Sequence, residues 1–332
     1  MQLKGSRKEG KAYLNPIPTE VGGFSSMHKI LWEYFTNKGV NIPKKPLGPF
    51  KTDASVYQTP PASGLRITWI GHSSLLIEID GKRILTDPVW SKRVSFTQWI
   101  GPKRFFAPPI ALKDLPKLDA ILVSHDHYDH LDTATIKFFA DKDVPFFCSL
   151  GVGFYLQKWG IDKSRITEMD WGDTAWIDHT IKLTTTPTRH FSGRGLHNRN
   201  GTLWSAFVIK GPQHNIFFGA DSGWFDGFKD IGEAYGPFDL TMLEIGAYGK
   251  YWPDIHMGPN HASNAHLALK GELMMPIHWA TYNLAPHGWH EPIDRLLKYG
   301  QEKHIPLFIP APGQPTEVEG KPYNSEWWLK SV

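Results

Sequence analysis

The chain has 332 residues, room for one large domain or two modest ones, and 41% apolar with 13% aromatic content excludes a disordered protein. A formal charge of +3 is too small to point to nucleic acid, and the single cysteine, Cys148, excludes an intramolecular disulfide and a thiolate-rich metal site. No run of about eighteen consecutive apolar residues occurs, and Met1 to Leu14 contains no apolar signal core, so a soluble cytoplasmic enzyme is the expectation.

Residues 1–63 are rich in Pro, Gly and Lys and read as an extension that wraps the rest. It holds one helical pattern, Ser26 to Asn37, with Met27, Ile30, Leu31 and Phe35 on one face. A domain spanning 64–315 then begins with strands at Arg66–Ile70, Ser74–Ile79 and Arg83–Leu85, the last two joined by the hairpin signal Asp80-Gly81. Further strands are expected at Ala120–Val123, Ile181–Thr186, Trp204–Ile209, Asn215–Phe218, Leu240–Glu244 and Met274–Ile277. Helical patterns fall at Thr133–Ala140, Phe154–Trp159, Asn260–Leu269 and Pro292–Tyr299. Antiparallel hairpins with interspersed helices suggest two sheets between helical layers. The tail, 316–332, is expected to pack Trp327 and Trp328 back on the surface.

The most informative stretch is Ser124-His125-Asp126-His127-Tyr128-Asp129-His130, which follows the apolar strand directly. Imidazoles and carboxylates at this density suit Zn²⁺, Fe²⁺ or Mn²⁺, and an alternating His-x-His pair on extended backbone points both rings the same way. Asp129 and His130 can reach a neighbouring position, so one loop can serve two ions about 3.5–4 Å apart. Three later strands each end near one more metal-capable residue: His190, Asp221 and His278.

The pattern His125-x-His127-x-Asp129-His130, then His190, Asp221 and His278, resembles the metallo-β-lactamase fold hydrolases. Within them the text resembles the N-acylphosphatidylethanolamine-hydrolysing phospholipase D group, including its bacterial members. The supporting stretches include Thr68-Trp69-Ile70-Gly71-His72-Ser73-Ser74, Leu85-Thr86-Asp87-Pro88, Gly101-Pro102-Lys103-Arg104-Phe105, Ile245-Gly246-Ala247-Tyr248 and Ile277-His278-Trp279. The resemblance implies an α/β (α+β) fold, the αββα four-layer sandwich. It also implies two divalent ions, zinc first with iron or manganese as alternatives. His125, His127 and His190 would hold one, Asp129, His130 and His278 the other, and Asp221 would bridge them. One departure is Gly258-Pro259-Asn260-His261-Ala262, where the family usually has acidic residues, and this bears on headgroup recognition.

The activity so implied is phosphodiester hydrolysis of phospholipase D type on N-acylphosphatidylethanolamine-like glycerophospholipids. Two cations sharing a water lower its pKa from near 15.7 toward roughly 7, which supplies a bridging hydroxide as nucleophile. Asp221 can orient it. His72 is a candidate to donate to a phosphate or orient a ligand, Asp87 to accept from the far nitrogen of a ligand histidine, and His256 to touch the headgroup.

The loop Trp90–Arg104 mixes bulky apolar residues with cations, a composition suited to peripheral contact at an inner membrane. The partners expected are a phospholipid or other phosphodiester and no nucleic acid; the oligomer is not legible. Competing readings are a hydrolase of a soluble phosphodiester or a phosphorylated lactone, similar to ascorbate-6-phosphate lactonase, and a di-iron oxygen reductase. Such reductases carry glutamate where this chain has His127.

Overall fold

Strands covered on both faces organise the molecule. The computed structural model describes residues 5–22, 27–36, 41–195 and 197–332. The chain opens with β1 (Arg7–Glu9), β2 (Ala12–Leu14) and α1 (Met27–Thr36). The side chains of Met27, Ile30, Leu31 and Phe35, the face expected for α1, lie outside the described residues. Next come β3 (Leu65–Gly71), β4 (Ser74–Ile79), β5 (Lys82–Thr86), β6 (Ala120–Val123), α2 (Thr133–Phe138), β7 (Phe146–Ser149), α3 (Gly153–Lys158) and β8 (Ile166–Met169). The second half contains β9 (Thr174–Ile177), β10 (Ile181–Pro187), β11 (Ser205–Lys210), β12 (Asn215–Phe218), α4 (Gly227–Tyr235), β13 (Phe238–Glu244), α5 (Gly258–Ala268), β14 (Gly271–Ile277) and α6 (Glu291–Glu302). Short strands β15 (Phe308–Ile309), β16 (Thr316–Glu317) and β17 (Tyr323–Asn324) follow.

Two large sheets result, ordered β16-β3-β4-β5-β6-β7-β8 and β14-β13-β12-β11-β10-β9, beside the two-stranded pairs β1-β2 and β15-β17. Period-two alternation explains how the first sheet is covered on both faces. Ile67, Trp69, Leu75, Ile77 and Leu122 join a core shared with Leu183, Phe207, Phe217 and Met242 of the second sheet. Their neighbours Ile70, Leu76, Ile121 and Val123 instead pack with Ile136 of α2 and Leu156 of α3. The far side of the second sheet is covered by α4, α5 and α6 through Ile231, Ala265 and Ile293. This is an αββα four-layer sandwich, the architecture that the resemblance implies.

Only part of each sheet is antiparallel, a correction to the hairpin-dominated expectation. Strands β5 to β8 pair in parallel, as do β12 to β14. Parallel neighbours need long crossovers; four of the five here pass through α2, α3, α4 and α5, and β5 reaches β6 through the loop 87–119. Because β3 and β5 each pair antiparallel with β4, they run alongside β6; by the same logic β10 runs alongside β12, β13 and β14. The C-terminal ends of seven strands, β3, β5, β6, β10, β12, β13 and β14, therefore lead toward the residues that matter below. Among the described residues no helix is long and apolar enough to cross a membrane.

The tail packs back on the domain, and its two tryptophans go deeper than the surface position expected for them. Strand β16 pairs with β3, and Trp327 and Trp328 are buried against Trp279, the residue after His278, with ring centroids 5.4 and 5.5 Å away. Two large aromatics find more apolar area there than any surface site offers. Trp328→Ala is expected to cost about 3–5 kcal/mol through the cavity it leaves. Urea denaturation of the variant beside the wild type measures it, and a loss under 1 kcal/mol, the range of ordinary surface substitutions, would contradict this packing.

Candidate metal centre

The loop after β6 is fixed from several sides. The backbone N–H groups of His130 and Leu131 donate to the His127 carbonyl, and Asp132 caps α2 by accepting from Ala134 N at 3.3 Å. Gly193 N donates to Asp126 Oδ1 at 2.7 Å, and the Arg194 guanidinium donates to the carbonyls of Asp126 and Leu131. Asp126 thus serves the loop, while its neighbours face the cleft.

Two groups of donors form. His125 Nε2 and His190 Nε2 lie 2.9 and 3.2 Å from His127 Nδ1. Edges of a tetrahedron of nitrogens around zinc are about 3.3 Å for bonds near 2.0–2.1 Å. Asp129, His130 and His278 form the other group: Asp129 Oδ2 is 3.7 Å from His130 Nε2 and 3.5 Å from His278 Nε2. Asp221 Oδ2 stands between the groups, 3.1 and 3.2 Å from His130 and His278 Nε2, and 3.6 and 3.9 Å from His190 and His125 Nε2. All seven residues singled out as ligands from the sequence are brought together.

Hydrogen bonds fix which nitrogens face inward. His190 Nδ1 lies 3.0 Å from the Ile255 carbonyl, and His130 Nδ1 2.7 Å from Asp87 Oδ2. Both partners only accept, so both Nδ1 atoms carry protons and both Nε2 atoms face the centre. Ser124 Oγ donates to Asp87 Oδ2 and so accepts from His125 Nδ1 at 2.9 Å, which turns His125 Nε2 inward as well. Asp87 thereby orients two histidines at once.

The donor set fits divalent ions. His125 Nε2, His127 Nδ1 and His190 Nε2 converge with at most one proton to share among three nitrogens. His130 Nε2, His278 Nε2 and Asp221 Oδ1 are buried without a hydrogen-bond partner. Burial works against ionisation of Asp129, yet His130 and the other imidazoles hold it well below the usual carboxylate range, and Asp221 behaves likewise. Burial also disfavours charged His278, but Asp221 and Asp129 pull it up to about 10, and His130 moves in the same direction. His125 and His190 are pushed well below an ordinary imidazole by burial. One group is therefore built of neutral imidazoles, while the other lies against two anionic carboxylates that require positive charge. Divalent cations meet both conditions with neutral imidazole ligands.

His72 and His256 flank this set. His72 Nε2 is 2.9 Å from Asp129 Oδ2 and its ring lies 3.7 Å from that of His278, so the geometry favours its orienting a ligand. Burial and the neighbouring His278 push its pKa down to about 3. His256 Nδ1 is 2.5 Å from Glu244 Oε2, with its ring centroid 5.1 and 5.3 Å from those of His190 and His278. It therefore belongs to the cleft rather than to a surface loop.

Glu244 was not singled out from the sequence. It is fully buried, accepts from Ser222 N at 2.8 Å and reaches within 3.8 Å of His278 Nδ1. The available signal was a carboxylate closing the apolar strand Phe238–Glu244. His72, Asp87 and His278, with φ of +57°, +35° and +62°, sit in the left-handed region that non-glycine residues rarely adopt. Such strain gathers at functional sites, where the surrounding structure imposes it.

Known proteins bear on this geometry. The beta-lactamase superfamily domain matches residues 82–279. The chain belongs to that superfamily. An uncharacterized protein of Mycobacterium tuberculosis is 44% identical over 303 residues, 90% of this chain and 80% of its own length. The N-acyl-phosphatidylethanolamine-hydrolyzing phospholipase D 1 of Caenorhabditis elegans is 38% identical over 246 residues, 70% of this chain and 69% of that protein. An isothiocyanate hydrolase from Delia radicum gut bacteria superposes with a TM-score of 0.61 at 19% identity, over 76% of this chain and 99% of that one; this likeness concerns the fold. The protein is a metal-dependent hydrolase of this superfamily.

Asp87 offers a direct check on the centre. Replacing the outer partner of a ligand histidine typically weakens metal binding 10–100-fold. Asp87→Asn is expected to weaken binding of one ion by about that factor, read by chelator competition and metal analysis. Wild-type affinity in the variant would show that His130 needs no such support.

Proposed function

We propose that the protein hydrolyses phosphodiesters in the manner of a phospholipase D, on N-acylphosphatidylethanolamine-like glycerophospholipids, with two divalent ions, zinc first. The observation that carries this reading is Asp221 Oδ2 within 3.9 Å of four imidazole nitrogens drawn from both donor groups. His125, His127 and His190 would hold one ion, and Asp129, His130 and His278 the other. Bound there, such ions supply a water ionised near neutral pH and neutralise charge on the phosphoryl oxygens.

The chain's own groups do the rest. Among the described residues Asp221 Oδ1 has no hydrogen-bond partner, which leaves it to accept a proton from the attacking water and aim its lone pair at phosphorus. His72 keeps Asp129 from rotating away. Glu244 holds His256 by Nδ1, leaving Nε2 to meet the phosphate or the departing oxygen. His127 supports hydrolysis over the di-iron alternative, and the C. elegans relative supports the lipid class.

The same reading assigns lipid entry to the Trp90–Arg104 loop. Its root packs at the cleft, where Val94 is buried with Val89 and Tyr282, and Tyr128 lies alongside. Its tip is in solvent, with Phe96, Trp99 and Ile100 78%, 88% and 68% exposed. Beside the loop a groove of about 1020 Å³ is lined by Lys44, Lys45, Lys92 and Lys103 among aromatic and proline residues. Apolar side chains ringed by cations suit an anionic bilayer surface.

Two outcomes test the proposal. His127→Ala and Asp221→Asn should each lower hydrolysis of bis(p-nitrophenyl) phosphate and of N-acylphosphatidylethanolamine at least about 10³-fold, of the order lost when an activated nucleophile or its charge stabilisation is removed. Turnover of a phosphorylated lactone alone would transfer the reading to that substrate class. Separately, the double variant Phe96→Ser, Trp99→Ser should lose most co-sedimentation with phosphatidylglycerol vesicles at low salt. Absence of vesicle binding by the wild type would remove the membrane contact and leave a soluble diesterase.

A further inference from the structure

We propose that Asn15 is a positioning residue of the metal centre, and that the segment from Asn15 to Glu20 acts with it as a latch on His190 and on the loop before His256. Asn15 is distant in sequence from every ligand, yet it pairs with His190 as a neighbouring strand would. Its Nδ2 donates to the His190 carbonyl at 2.7 Å, and its Oδ1 accepts from His190 N at 2.9 Å. Both backbone groups of a fully buried ligand residue are thus satisfied by one side chain.

The rest of the segment holds the neighbours of His190. Arg189 donates from Nε to Thr19 Oγ1 at 3.1 Å and from Nη2 to the Pro18 carbonyl at 2.8 Å, and pairs with Asp254 at 2.6 Å. Asp254 Oδ2 also accepts from Glu20 N at 2.8 Å. The next residue, Ile255, supplies the carbonyl that fixes the His190 ring. On its other side Arg189 bridges to Gly223, two residues beyond Asp221. His190 is therefore held at its N–H, its carbonyl and its Nδ1, and two of those three contacts come from Asn15.

The consequence concerns metal binding rather than folding. Asn15 is a half-buried polar residue that contributes no apolar side chain to the core, so its loss leaves the sandwich packed, while His190 keeps its ring bond to Ile255 but loses both backbone anchors. A ligand free to shift by a fraction of an ångström binds its ion less tightly, in the range of 10–100-fold known for partners that orient ligand histidines.

The test is made on the full chain without substrate, so it stands apart from the phospholipase reading. Asn15→Ala is loaded with zinc, its metal content is measured, and its dissociation constants are read by chelator competition. Cobalt-loaded protein gives the visible spectrum of the site. The expected result is about 10–100-fold weaker binding of one ion and an altered cobalt spectrum, with the melting temperature of the metal-stripped protein unchanged. Asn15→Asp keeps the acceptor for His190 N and should fall between wild type and Asn15→Ala. Wild-type affinity and spectrum in Asn15→Ala overturn the proposal. If that variant does not fold, wild-type affinity in Asn15→Asp overturns it equally.

Discussion

Everything near the cleft depends on holding two carboxylates, Asp129 and Asp221, ionised in a place from which water is nearly excluded. A buried charge without a counter-charge is too costly to persist. Here His130 and His278, drawn toward the charged form 3.1 and 3.2 Å from Asp221 Oδ2, meet that cost, and His72 donates to Asp129 at 2.9 Å. That arrangement is adapted to cations, because once the imidazoles are neutral, as metal ligation requires, the two carboxylates leave the centre negative. The outer partners follow from the same need. Asp87, Glu244 and the Ile255 carbonyl each take hold of a histidine that would otherwise be free to turn.

The common direction of seven strands makes this possible. Each of β3, β5, β6, β10, β12, β13 and β14 runs toward the cleft, so a residue placed just after any of them reaches it. His72, Asp87, His125, His190, Asp221, Glu244 and His278 all lie at or just after such ends. Rigid, doubly covered strands hold these positions more closely than loops alone can.

Much of this was legible in the sequence, and the reasons are local. Ala120–Val123 has the four-residue apolar run of a buried strand, and the dense imidazoles and carboxylates after it leave little room for another reading. Asp80 and Gly81, both with positive φ, form the hairpin turn that their pairing announced. Strand direction was not legible, since a short apolar run reads the same in parallel and antiparallel neighbours. Helix α4 escaped because its two glycines weaken the periodicity of Gly227–Tyr235. Glu244 escaped because a single carboxylate at a strand end resembles a surface residue until its burial is known, and Asn15 because its partner lies far along the chain.

The tryptophans at the end of the chain carry one more consequence. Trp327 and Trp328 press on Trp279, which adjoins His278, so a segment synthesised after every candidate ligand braces one of them. His125 to His130 leave the ribosome far earlier and must wait with unmatched donors until β14 and the tail arrive. Closure of the donor group that includes His278 is therefore a late event in synthesis, and a chain lacking Trp327 and Trp328 would carry all the candidate ligands around an unbraced His278.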